Sequence, residues 1–233
     1  MESGSSVFGD VMELIIGKTT VTLEDNGMYW VSGMAVDADG SPIAYHPSGK
    51  GLDATANAGH PGNWWGVVTD NGQPDGNPIV QGTNDIAPGY YVSPTSLCDK
   101  SKKAGDPAKY VDSVNVPYIS LPPEARHFGG IHFGDLAWVC NKPNGMNGPA
   151  IFADGGPKGK LGEGSVMLAT SLGINPDPRH GGIGSGIAWV VFPGSTLNWP
   201  SSVKDIHDLA YVRLVQWGGL DRLKLIAEQN KVQ

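Results

Sequence analysis

The sequence predicts a mainly β chain of the α+β kind, with helices gathered at its C-terminal end. Three observations carry this. Short runs of β-branched and aromatic residues recur along most of the length, each bounded by Gly, Pro, Asn or Asp clusters. The 34 glycines and 18 prolines among 233 residues follow no fixed period, which excludes a collagen-like chain, and dispersed tryptophans argue against disorder. Helical spacing of apolar residues becomes sustained only near the end. The length suits one large domain, and neither a repeat nor a low-complexity linker divides it.

Taken in order, "TTVTLEDNGMYWVSG" reads as a hairpin turning at Asn26-Gly27, and "NWWGVVT" and "GYYVSP" as strands. "VPYISLP" is a strand closed by two prolines, and "GDLAWVCNKPNGMNGPAIFAD" two strands around an Asn-Gly turn. In "EGSVMLATSLGI" Ser165 is placed to cap a short helix and Gly173 to stop it. "GIAWVVFPG" is a further strand. "SSVKDIHDLAYVRLVQWGG" has the shape of a capping box, Ser202 with Asp205 three positions on. Its expected apolar face is Val203, Ile206, Leu209 and Val212 or Arg213. "LDRLKLIAEQNKVQ" reads as a second, shorter helix.

Charge narrows the partners. The formal net charge of −7 and the lack of a basic stripe exclude a nucleic-acid binder and favour a cationic partner. No window of 18 apolar residues exists, so no membrane span is expected. Cys98 and Cys140 have no second Cys or His at ligand spacing; they either form one disulfide or stay two thiols. The histidines form no metal-ligand pair, and neither a metal nor any other cofactor is expected. "MESGSSVFGDVMELIIG" lacks a basic start and is interrupted by Glu13, unlike a signal peptide.

The stretch with chemistry is "IFADGGPKGKLGEG", residues 151–164. Asp154 ends an apolar strand, Glu163 precedes a helix, and the loop between them is Gly, Pro and Lys. Lys160 is followed by Leu161, so a phosphate-binding loop is ruled out. The plain reading is a surface turn with an acidic neighbour; the sharper one is a pair of catalytic carboxylates. The following helix would favour the ionised form of a nearby carboxylate. "HGGIGSG" precedes a strand and reads as a turn, not a dinucleotide loop. "DADG", 37–40, lacks the later ligands of a calcium loop; it is a turn or an acidic cleft wall. Trp64, Trp65, Trp199, Tyr90 and Tyr91 are candidate platforms for sugar rings, although in a strand only one of Trp64 and Trp65 can face a given side.

Two blocks, "GMAVDADGSPIAYHPSGKGLDATANAGHPGNWWGVVTDNG" and "FADGGPKGKLGEGS", resemble the chitosanases of glycoside hydrolase family 75, over about residues 33–192. The resemblance implies an endo-acting, inverting hydrolase of β-1,4-linked glucosamine polymer, with Asp154 and Glu163 as the catalytic pair. It also implies a monomeric, secreted enzyme, its leader removed or its export following another route. The order of "GDLAWVCNKPNGMNGPAIFADGGPKGKLGEGSVMLATSLGI" is similar to the double-psi β-barrels of expansins and family 45 endoglucanases. That likeness implies a six-stranded barrel core over 110–200, a β-rich groove wall over 1–109 and a helical tail over 201–233, all one catalytic domain.

Inversion needs an acid for the leaving oxygen and a base for water, with carboxyl groups about 6.5–9.5 Å apart. Glu163 is assigned as acid and Asp154 as base. Asp37, Asp39 and Asp53 are candidates to pair substrate ammonium groups, since a buried cation needs a carboxylate. Tyr45, His46, Asn57 and Trp64 are candidates for sugar contacts. Two alternatives stand beside this reading: a hydrolase of cell-wall peptidoglycan in an effector or phage, and a non-catalytic, expansin-like polysaccharide-binding module.

Overall fold

The computed structural model describes residues 11–199 and 202–229. Positions 1–10 of the segment compared with a signal peptide, and 230–233 of the expected last helix, lie outside the described residues. In chain order the strands are β1 (Met12–Ile16), β2 (Thr19–Glu24), β3 (Gly27–Asp37), β4 (Gly59–His60), β5 (Asn63–Trp64), β6 (Tyr118–Leu121), β7 (Leu136–Asn141), β8 (Asn147–Gly155), β9 (Glu163–Ser165) and β10 (Ile183–Phe192). The helices are α1 (Pro123–Gly129), α2 (Val166–Ser171), α3 (Val203–Trp217) and α4 (Gly219–Gln229).

Six strands close into a barrel in the order β3-β10-β7-β8-β6-β9, and β9 returns to β3. Two of its pairings are parallel, β3 with β9 and β6 with β8; the others are antiparallel. Closure gives each of these strands a neighbour on both sides, so no barrel edge is left unpaired. The β1–β2 hairpin extends the sheet beyond β3.

Alternation along the strands separates two apolar layers. Inward residues, among them Met28, Trp30, Ile119, Val139, Phe152 and Trp189, fill the barrel. Trp30 and Trp189 are register partners and stack at 5.7 Å and 6°. Outward residues, among them Tyr118, Trp138, Ile151 and Val190, are covered partly by α3 and α4. Each such side chain contributes roughly 1.5–3 kcal/mol by burial, so the double layer outweighs any single surface interaction.

The main departure from expectation concerns residues before 110. The barrel draws β3 from the segment expected only to decorate it, because β3 is long enough to pair with β10 and with β9 at its far end. Residues 38–117 are mostly loop. "NWWGVVT" yields only the two-residue β5, and "GYYVSP" only an isolated bridge at Tyr91. Gly, Pro and Asp interrupt this region every few residues, so no ladder extends. A small apolar cluster of Ala38, Ala44, Tyr45, Ala58, Trp64 and Val67 holds it instead. The hairpin turn is Asp25-Asn26, both at positive φ, not Asn26-Gly27. Gly27 is already paired, and a Cβ there would lie 2.2 Å from Nε1 of Trp217.

Both expected helix caps form. The Ser165 hydroxyl accepts from the Leu168 N–H, and the Ser202 hydroxyl accepts from the Asp205 N–H. The buried face of α3 is Ile206, Ala210, Leu214 and Trp217, while Val203, Leu209 and Val212 are exposed. Docking of Trp217 against Gly27 sets that rotation. Cys98 and Cys140 are both free thiols. Among the described residues no helix is long and apolar enough to cross a membrane.

Candidate functional site

Strand register builds the site. Ser120 of β6 is the register partner of Asp154 in β8 on one side and of Glu163 in β9 on the other. Cross-strand partners project to the same face of a sheet. Ser120 is outward, between inward Ile119 and Leu121, so both acids belong to the outer wall of the barrel. For Glu163 simple alternation suffices, since its neighbour Gly164 packs against inward Leu168 and Met34. For Asp154 it does not. Phe152 points inward, so Asp154 two residues later should follow it. A register shift between Ile119 and Ser120 leaves Ala153 as the extra residue, and this bulge turns Asp154 outward. Asp37 reaches the same wall at the end of β3, paired with Ser165.

The wall faces a cleft of about 500 Å³, whose other side comes from the 38–117 excursion. Its lining includes Asp37, Asp39, Tyr45, Asp53, Asn57, Trp65, Asp154, Lys160, Pro178 and Glu163. The three acidic candidates of the first block thus meet the catalytic candidates, although more than a hundred residues separate them. Tyr45 is buried and lends its hydroxyl to Asp39 Oδ1 at 2.8 Å. Asn57 donates to both oxygens of Asp53, at 2.9 and 3.0 Å. Two candidates fall elsewhere. His46 hydrogen-bonds Ser48 and meets Tyr90 edge-on, away from the cleft lining. Trp64 is buried against Tyr91 in the small apolar cluster. Its neighbour Trp65, 59% exposed, lines the cleft instead, so the Trp-Trp pair splits as alternation requires but with the opposite member outward. Trp199 packs on the outer apolar layer. A second groove of about 930 Å³ touches the 155–162 loop through Leu161 and carries Lys18 and Lys142; none of the candidate acids lines it.

Hydrogen bonding distinguishes the acids. Asp154 Oδ1 accepts from the Ser96 N–H at 2.9 Å and from its hydroxyl at 2.8 Å. Asp37 accepts from the Asp39 N–H and from the Ser120 hydroxyl, at 2.8 and 2.9 Å. Asp39 accepts from Tyr45 and from Ser93. For Glu163 no side-chain hydrogen bond is formed among the described residues. Burial, then the charges of Asp37 and Asp154, push Glu163 up to about 8, with Lys160 opposing. Burial, then Asp37, push Asp154 up to about 6, while the two bonds from Ser96 hold it down. Asp37 is raised by burial, and Asp39 well raised by burial and then by its acidic neighbours. The expected help to Glu163 from the helix is outweighed: β9 intervenes, and burial beside two acids dominates the dipole of six-residue α2.

Oxygens of Asp37, Asp39 and Asp154 lie within 4.8 Å of one another, so these three could share a cation, an ammonium group as well as a metal ion. Ser96 and Ser120 are the site residues that the sequence did not mark. Trp65 was one of two equivalent choices, and the serines carry no motif. No protein-family model matches the chain, and no curated protein matches it.

Proposed function

We propose that this chain is an inverting, endo-acting glycoside hydrolase of glucosamine polymer, a chitosanase of the family 75 kind, built on a double-psi β-barrel. The observation that carries the reading is the placement of Asp154 and Glu163 on either side of Ser120, with Ser96 hydrogen-bonded to Asp154. Glu163 keeps its proton near neutral pH and is the general acid for the leaving oxygen. Asp154, fixed by Ser96 and ionising first, is the base that draws a proton from water on the opposite face of the sugar. Two inter-strand spacings set their backbones about 9.5 Å apart across β6.

The acidic wall supports the substrate class. An ammonium group entering beside Asp37 and Asp39 meets two carboxylates that burial makes harder to ionise without it, and Asp53 lines the same cleft. Trp65 offers an exposed ring held by an Nε1–H bond to the Asn57 carbonyl at 2.8 Å. The parallel pairs β3–β9 and β6–β8 support the double-psi assignment. A polymer of this kind is met outside the cell, which supports the reading of a secreted enzyme.

The test is a time course on chitosan with product anomers read by proton NMR. Release of reducing ends with the α anomer appearing first is expected. First appearance of the β anomer overturns the inverting assignment. Soluble fragments from peptidoglycan but none from chitosan would transfer the chemistry to the cell-wall alternative, and retention on polysaccharide without any product would favour a binding module.

A further inference from the structure

We infer that Arg179 is a positioning residue which holds the substrate-facing wall of the cleft in place. Each hydrogen bond of its guanidinium goes to backbone: Nη2 donates to the carbonyls of Gly49, Gly51 and Asp53 at 2.7, 2.7 and 3.1 Å, and Nε to that of Leu52 at 3.3 Å. Among the described residues no carboxylate lies within ion-pair distance of it. A cation that gathers four carbonyls from one turn, 126 to 130 residues away, fixes the path of that turn.

Both ends of this strap are hydrogen-bonded in turn. On the Arg179 side, Asp177 accepts from the Arg179 N–H at 2.8 Å and faces His180 Nδ1 at 3.1 Å. The loop is closed by Gly181 N–H to Asp177 O and Gly182 N–H to Asn175 O. Its Pro178 lines the cleft. On the other side, the Leu52 and Asp53 amides bond to Ile43 O and Ala44 O. From Asp53 the order passes to Asn57 through its side-chain amide, and from the Asn57 carbonyl to the indole of Trp65. One guanidinium therefore governs the placement of Asp53, Asn57 and Trp65, three lining groups that face the catalytic pair. Three of the four bonds come from Nη2, so an ammonium at the same point could take up Gly49, Gly51 and Asp53 and would lose only the Nε bond to Leu52; Arg179→Met, which keeps the stem and no donor, is the clean deletion.

The inference rests on the glycosidase reading for its kinetic consequence and on geometry alone for the strap. Hydrogen exchange on the full chain therefore comes first, comparing wild type with Arg179→Met and Arg179→Ala. In both variants the Leu52 and Asp53 amides should exchange at least tenfold faster, with β7 and β10 amides unchanged. On chitosan, KM should rise several-fold in both while kcat stays within about twofold. Unchanged protection at Leu52 and Asp53 overturns the strap, whatever the kinetics. Protection and KM kept in Arg179→Met but lost in Arg179→Ala also overturn it, in favour of simple packing by the side-chain stem. Faster exchange with unaltered KM overturns the link to substrate grip. A wild-type chain inert on chitosan, with the exchange pattern as expected, upholds the strap and overturns the chitosanase reading.

Discussion

Asp154 and Glu163 meet across a single residue, Ser120, which is the register partner of both. Their separation is therefore a property of the barrel ladder and not of the loop that joins them in sequence. The nine-residue spacing only has to let the chain leave β8, turn, and enter β9 on the far side of β6. Backbone hydrogen bonds on three strands hold the gap, which suits a reaction needing a fixed space for one water.

Removing either carboxyl should abolish the chemistry without unfolding the chain. Glu163→Gln and Asp154→Asn are each expected to lower kcat by on the order of 10² to 10⁴-fold. In the wild type, kcat/KM should follow a bell. It rises as Asp154 ionises near pH 6 and falls as Glu163 loses its proton near pH 8, the two limbs belonging to the coupled pair. Reducing-end assays across pH, with circular dichroism as the fold control, check this. A variant that retains activity removes its residue from the mechanism.

Ser96 gives a sharper test of the base. Its N–H and hydroxyl both stabilise ionised Asp154. Ser96→Ala deletes the hydroxyl bond only, so ionised Asp154 becomes less favourable and its pKa rises. The acid limb of the profile should move to higher pH while the alkaline limb stays. A limb that stays in place, or one that moves downward, would mean that Asp154 is not the group titrating there.

Much of this frame was legible in the sequence, and what was not has physical causes. The β7–β8 hairpin, the Ser165 and Ser202 caps and the strand ending at Asp154 follow from turn chemistry and local propensity. The outward turn of Asp154 does not, because it depends on a bulge at Ala153 that only pairing with β6 creates. Choosing Trp65 over Trp64 depends on which ring the small cluster around Tyr91 takes. The face of α3 was misjudged because its rotation is set by Trp217 against Gly27, a contact between the two ends of the chain. Local signals specify elements; long-range register specifies which side of an element becomes a site.

Stability should record the cost of the acid. A carboxyl whose proton is held more tightly when folded stabilises the fold fully below its unfolded pKa and loses that contribution as pH rises through the folded one. Glu163 is raised from 4.5 to about 8, so the window runs between those values. Glu163→Gln stays neutral throughout. It should match wild type in stability near pH 4 and exceed it above pH 8, by roughly 1–3 kcal/mol once partial exposure is discounted, read as a higher Tm. Equal Tm differences at both pH values would remove the strain assigned to this carboxylate.

The loop before Glu163 allows a test of ladder placement itself. Gly162 has φ +88, and a Cβ there would lie 2.3 Å from the Gly33 carbonyl oxygen and 2.5 Å from Ser32 Oγ. Gly33 is in the middle of β3, and the Gly162 carbonyl accepts from the Ala35 N–H at 2.8 Å, so neither side can give way cheaply. Gly162→Ala thus combines a left-handed backbone penalty with overpacking against main chain, together about 2–4 kcal/mol. At about 2–4 °C per kcal/mol for a domain of this size, Tm should fall by roughly 5–15 °C. Relief of the clash pushes the start of β9 away from β3 and carries Glu163 with it, so kcat should fall more than KM rises. Gly159→Ala is the control: φ is +76, but nothing lies within 4 Å of the added Cβ. It bears the backbone penalty alone and should lose less stability and little kcat. Equal losses in the two variants would show that closeness to β3 does not place Glu163.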